Sequence, residues 1–213
     1  MSLLNLWSRF FTYYKRNGLR AVAKRVVEQL NRARQLNRMA LLYCDLSNEI
    51  CSTTDLPASI VVERKSSEAE LNQADFQELV NFWNPRLARQ HIGNRFKQDA
   101  SLWVMKVDGS VAGYGWSLRG HTIEPHFIRL GQDDVHLFDY YVAPAYRGRG
   151  LNPLMVKHIL QNLSAEHLGR AFIEVADWNH PQLSSLRKTP FRRLGSARKI
   201  TIGRQAIVWW SGD

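Results

Sequence analysis

The stretch Val142-Ala-Pro-Ala-Tyr-Arg147-Gly148-Arg149-Gly150-Leu151-Asn152 decides the fold. It leaves a run of strand-forming residues, Val135–Val142, and turns through two glycines. It then opens directly into an apolar helical repeat at Leu151, Leu154, Met155, Ile159 and Leu160. A helix start carries backbone N–H groups with no partner inside the helix, and its dipole favours negative charge. Glycines allow close approach, and Arg147 and Arg149 add positive charge. The turn reads as an anion cradle with a pyrophosphate as its natural guest. It is not a Walker A loop, because no Gly-Lys-Ser/Thr follows, and it lacks the GxGxxG spacing of a dinucleotide turn.

Outward from this turn, the pattern predicts strands at 39–46, Ser59–Arg64, Leu102–Val107, Val111–Leu118, Val135–Val142 and Ala171–Ala176. Asp108-Gly109 is a strong hairpin signal between two of them. Helices are expected at Leu71–Trp83, Pro85–Lys97, Leu151–Leu163 and Pro181–Lys188, and residues 119–134 read as loop around a short strand. Phe191–Ile202 and Gln205–Trp210 close the chain as a hairpin through Gly203-Arg204. Strands outnumber helices, with a strand–helix–strand unit in the middle, so the fold class is mixed α/β.

The chain has 213 residues, 45% hydrophobic and 23% charged, which excludes a largely disordered polymer. Two cysteines, Cys44 and Cys51, supply neither a disulfide framework nor a four-cysteine zinc site, and point to a reducing compartment. No apolar run approaches the roughly 18 residues of a membrane span. The expected location is cytoplasmic, with peripheral attachment at the inner membrane surface as the second option.

Of the net charge of +10, residues 1–38 carry +8: nine basic residues and one acid, Glu28. Leu3, Leu4, Leu6, Trp7, Phe10, Phe11, Tyr13 and Tyr14 give the spacing of one helical face, and a second period runs through Leu19, Val22, Val26, Val27 and Leu30. The division is therefore 1–38, a basic amphipathic helical segment, and 39–213, a nearly neutral body. Rings on one face and cations on the other suit an anionic lipid surface, whereas self-packing or a homodimer contact through residues 1–37 suits the same pattern. Nucleic acid is disfavoured, because no recognition module accompanies the charge.

The quoted turn resembles the signature of the GCN5-related N-acetyltransferase (GNAT) superfamily: strand, Val-x-Pro-x-x-Arg-Gly-x-Gly-(Ile/Leu)-(Gly/Ala), helix. The match runs from Val142 to Leu151 and departs at Asn152. A second, supportive feature is Asn179 after a strand, then a short helix ending Lys188-Thr-Pro190-Phe191, where the family has Lys-x-Gly-Phe. The resemblance covers roughly 39–213 and implies a mostly antiparallel sheet flanked by helices. It also implies acetyl-CoA, or another acyl-CoA, as co-substrate and direct acyl transfer to an amine. Tyr140 and Val142 would pair with the pantetheine arm. Arg147, Gly148, Arg149, Gly150, Leu151 and Asn152 would hold the pyrophosphate, and Asn179 would hydrogen-bond the pantetheine or the cofactor's far side.

A protonated amine cannot attack a thioester, so a base is needed. Several family members place one on this strand about six residues before the valine, which falls on His136 here. Glu174 and Asp139 are alternatives. Strand alternation sets His136, Phe138, Tyr140 and Val142 on one face. Where the family often has a tyrosine to protonate the thiolate, this chain has Leu186, leaving Tyr140, Tyr141 or water. His121, His126 and His136 lack metal-ligand spacing, so no metal is expected. The second reading, from another class, is a non-catalytic GNAT-fold module docked through its N-terminal helices. Asn152, Leu186 and Pro190 favour it. The acceptor amine is not legible.

Overall fold

The computed structural model describes residues 38–47, 55–82, 85–124, 126–202 and 205–211. The expected helical appendage at 1–37 lies outside them. The body is a single eight-stranded sheet: β1 Arg38–Asp45, β2 Ile60–Lys65, β3 Ser101–Val107, β4 Ser110–Arg119, β5 Asp134–Val142, β6 Arg170–Ala176, β7 Arg192–Ile202 and β8 Gln205–Ser211. The strand order is β2-β3-β4-β5-β6-β1-β7-β8, and β5–β6 is its one parallel pair. The helices are α1 Gln73–Asn81, α2 Pro85–Phe96, α3 Leu151–Ala165 and α4 His180–Leu186. The mixed α/β architecture stands as expected. No strand forms among the described residues of 120–133.

Local chemistry accounts for the boundaries. Asp108 and Gly109 both take positive φ, 50° and 82°, as a tight hairpin between β3 and β4 requires. Asn72 caps α1 by accepting the Asp75 N–H at 2.7 Å. α1 thus starts two residues later than its apolar period suggests. Pro85 opens α2, where its missing N–H costs nothing.

The central strands of the sheet are buried on both faces. On one, α3 and α4 press Met155, Ile159, Leu160 and Leu186 against Leu137, Ala171 and Ile173. On the other, α1 and α2 press Leu79, Val80 and Ile92 against Leu102, Trp116 and Leu118. Each such fully buried aliphatic side chain contributes about 1.5–3 kcal/mol. Trp103 and Trp116 are core residues, and the Trp103 indole N–H donates to Ser117 Oγ at 2.8 Å.

Strand alternation fails in the middle of β5. Trp116 pairs with Phe138 and Tyr114 with Tyr141, so Gly115 alone faces both Asp139 and Tyr140. This is a β-bulge, and Asp139 sits at φ 52° within it. Arg95 of α2 holds the Asp139 carboxylate in an ion pair. The extra residue reverses the pleat. His136, Phe138 and Tyr141 face the α1–α2 side, while Leu137, Tyr140 and Val142 face α3. Tyr140 and Val142 are therefore not on the face of His136, as simple alternation had placed them.

Candidate active site

The parallel pairing of β5 with β6 covers Asp134, Val135 and His136 and ends there, at Phe172. Beyond that point the two strands part, β5 staying with β4 and β6 with β1. The sheet is thereby split at its centre. A cavity of about 620 Å3 lies on the α3 side of the split, bordered by Tyr140, Val142, the 146–152 turn and Asn179. A second, of about 380 Å3, lies on the α2 side and is bordered by His136, Glu174 and His126.

In the first cavity Gly148 and Gly150 sit at φ 78° and 73°, a region that L side chains rarely adopt. A Cβ on either would meet nothing within 4 Å, so the space above the turn is open. Gly150 is the N-cap of α3 and has no side chain to satisfy the first-turn N–H groups, which are left for a ligand. The guanidinium of Arg147 stacks 5.6 Å from the Tyr141 ring centre, and that of Arg149 stacks 5.5 Å from Tyr146. Arg147 Nε also donates to the Val142 carbonyl at 3.0 Å.

Asn152, the departure from the family pattern, donates to Ser185 Oγ at 2.8 Å and to Gln182 Oε1 at 3.2 Å. It ties the start of α3 to α4. Asn179 caps α4 through the Gln182 N–H. Leu186 is fully buried in the core and offers no proton donor. Tyr140 borders the cavity, and its hydroxyl is buried with no hydrogen-bond partner among the described residues. Burial pushes its phenol far up, so it stays protonated and can donate a hydrogen bond. Open backbone donors, flanking cations and an unpaired hydroxyl fit a coenzyme A thioester.

In the second cavity His136 Nε2 lies 2.8 Å from Glu174 Oε2, across the gap where β5 and β6 part. His126, from the loop between β4 and β5, places its Nε2 3.0 Å from the same oxygen. Burial alone would raise the Glu174 carboxyl, but the hydrogen bonds from His126 and His136 hold it well below the usual carboxylate range. An ionised carboxylate only accepts, so both Nε2 atoms carry hydrogen. His126 Nδ1 accepts the Ile128 N–H at 3.4 Å, whereas His136 Nδ1 is buried with no partner among the described residues. Of the four ring nitrogens of His126 and His136, only His136 Nδ1 has no hydrogen-bond partner among the described residues.

Sequence spacing had joined His126 and His136 to nothing. The long loop and the β6 crossover bring them together with Glu174, their ligand-type atoms within 4.8 Å of one another. His121 stays apart, exposed, with Nδ1 against the Arg119 carbonyl. Asp139 is committed to its ion pair with Arg95. No signal in the local sequence marks His126, because its role depends on a residue 48 positions away.

Residues 68–188 match the model of the acetyltransferase (GNAT) family, more than half of the chain, and the protein belongs to that family. Its fold is similar to a GNAT-family protein of Novosphingobium aromaticivorans (14% identity, TM-score 0.50, covering 75% of this chain and 61% of that one). It is likewise similar to a GNAT-family acetyltransferase of Colwellia psychrerythraea (14%, 0.51, covering 82% and 56%). A third is a tandem GNAT protein from the clavulanic acid biosynthesis pathway (12%, 0.53, covering 74% and 50%). The chain thus spans less than two thirds of each of these structures, and at such identities the likeness is one of fold. No curated protein matches the sequence. Among the described residues, no helix is long and apolar enough to cross a membrane.

Proposed function

We propose that the protein is an acetyl-CoA-dependent N-acetyltransferase acting on a primary amine by direct attack, with His136 as general base. The carrying observation is the pair His136–Glu174, set at the split in the sheet between the phosphate cradle and a separate cavity. When bound, acetyl-CoA supplies the acyl group as an activated thioester.

The chain's own residues do the rest. First-turn N–H groups of α3, with Arg147 and Arg149, bind the pyrophosphate. Asn152 fixes the cradle to α4, and Asn179 borders the same cavity. The acceptor amine enters from the α2 side. His136 Nδ1 takes its proton, and Glu174 holds the ring through Nε2 and stabilises the imidazolium that forms, without itself becoming protonated. Glu174 is a poor base in its own right, because a carboxyl held so low has little affinity for a proton. Tyr140 offers a hydrogen bond, not a ready proton, to the departing sulfur. A coenzyme A thiolate is a fair leaving group, so the loss of the family's tyrosine at Leu186 is compatible with turnover.

The test is an amine panel incubated with the protein and acetyl-CoA, with acetylated products read by mass spectrometry. Acetylation that needs both His136 and an intact Gly150 supports the reading. Acetyl-CoA binding without any acetylated product would favour the second reading, a non-catalytic module of the same fold.

A further inference from the structure

We propose that His126 is a positioning residue for the transfer reaction: its Nε2–H and that of His136 converge on Glu174 Oε2, so that the loop between β4 and β5 fixes the carboxylate that orients the base. The proposal rests on His136 being that base.

The geometry separates the two imidazoles. Their ring centres are 4.7 Å apart, and both Nε2 atoms are within 3.0 Å of one oxygen. His126 has both nitrogens engaged, with Glu174 and with the Ile128 N–H, and its side chain is only 4% exposed. It cannot accept a proton without losing a bond. The loop that carries it is anchored next door, where Phe127 is buried against Leu41 and Ala197 and the Lys199 ammonium lies 4.7 Å from its ring centre. His126 is thus held in place by the fold, not poised to swing.

A carboxylate oxygen shared by two donors spreads its charge over both, so His136 feels less of it than it would in a simple pair. Two ties also stop the carboxylate from rotating away. The other charged or titratable groups around this cavity are His91 and Arg95 from α2, Glu124 from the loop and Lys199 from β7. Arg95 is already paired with Asp139. Removing His126 leaves Glu174 with one donor. The carboxylate is then freer to rotate, and His136 is less firmly oriented.

The test reads the rings directly, by long-range 1H–15N NMR of histidine side chains in the full-length protein across a pH series around histidine's ordinary value of about 6.5. In the wild type, both rings should be Nε2–H tautomers, with His136 Nδ1 carrying the lone pair. In His126→Ala the His136 15N pattern should move toward the average of the two tautomers, as expected of a ring less firmly held. In His126→Gln, whose amide keeps an N–H donor, it should return most of the way. Where Ala costs the fold, His126→Met, without a donor, takes its place. In turnover, the donorless variants should lose about 10-fold in kcat with the amine KM little changed. An unchanged His136 15N pattern in these variants would overturn the proposal. So would titration of wild type with Zn2+ giving one tightly held ion and loss of both Nε2–H signals, which would make the three side chains a metal site. If the acetyltransferase reading itself were wrong, no amine would be acetylated while the NMR result stood.

Discussion

The Tyr140 ring fills the space that a side chain at position 115 would need: a Cβ on Gly115 would lie 2.6 Å from Tyr140 Cε1. The bulge that reverses β5 therefore depends on a glycine in the neighbouring strand. Tyr140 reaches the α3 face only because its ring can lie flat over β4 there. The same reversal sets the cradle and the proposed base on opposite sides of the sheet.

Gly115→Ala should destabilise the protein by about 1–3 kcal/mol, the usual range for overpacking a filled site. Urea unfolding measures this directly. Acetyl-CoA affinity should fall with it, since Tyr140 and Val142 border the cofactor cavity. A neutral Gly115→Ala would mean that the bulge is not held by this contact.

His136→Ala should lower kcat by roughly 100-fold or more and leave the acetyl-CoA Kd nearly unchanged. Steady-state kinetics paired with calorimetry separates the two quantities. Equal losses in both would mark His136 as structural, and undiminished turnover would return the role to Glu174, Asp139 or water.

Glu174 makes stability depend on acid. Its folded carboxyl is held below its ordinary value, so the unfolded chain binds the proton more readily. Its contribution is full above the ordinary carboxylate range, near 4.5, and is lost progressively as the pH falls from there. Glu174→Gln should flatten that acid limb in thermal melts taken over a pH series. An identical limb in wild type and variant would show that the two histidines do not hold the carboxylate ionised.

The basic N-terminal segment gives a separate forecast. Its +8 charge and aromatic face should carry the full-length protein onto vesicles containing anionic lipid. Binding should weaken with salt, since screening sets in beyond about 10 Å at 0.1 M. Deleting residues 1–37 should release the protein without altering acetyl-CoA binding. Vesicle flotation reads the first effect and calorimetry the second. Full-length protein that ignores vesicles at low salt, with a truncated form that changes oligomeric state by light scattering, would assign the segment to self-packing instead.

Most of the fold was legible because its signals are local. Asp108-Gly109 forces a hairpin, the Arg147–Asn152 turn starts a helix after a strand, and Val, Ile and aromatic runs mark strands. The β5 bulge was not legible. Its cause is Gly115, on a different strand, and period-two reading has no way to register an inserted residue. The cradle residues follow one another in sequence and were found together. The second half of the site is assembled from His126, His136 and Glu174, which only the sheet topology unites. Asn152 departs from the motif for a reason that lies on another helix, where its amide bridges to Ser185 and Gln182.

The central claim is that the 147–152 turn binds the pyrophosphate of an acyl-CoA, and isothermal calorimetry with acetyl-CoA tests it most directly. Wild type should bind in the micromolar range, at about 8 kcal/mol for a Kd of 1 μM. Gly150→Glu should abolish binding, because the new side chain fills the open space above the α3 N-terminus and sets a negative charge against the phosphates. Circular dichroism on the same sample confirms that the variant is folded. Wild-type protein that takes up no coenzyme A derivative even at millimolar ligand, or a folded Gly150→Glu that binds as well as wild type, would contradict the account.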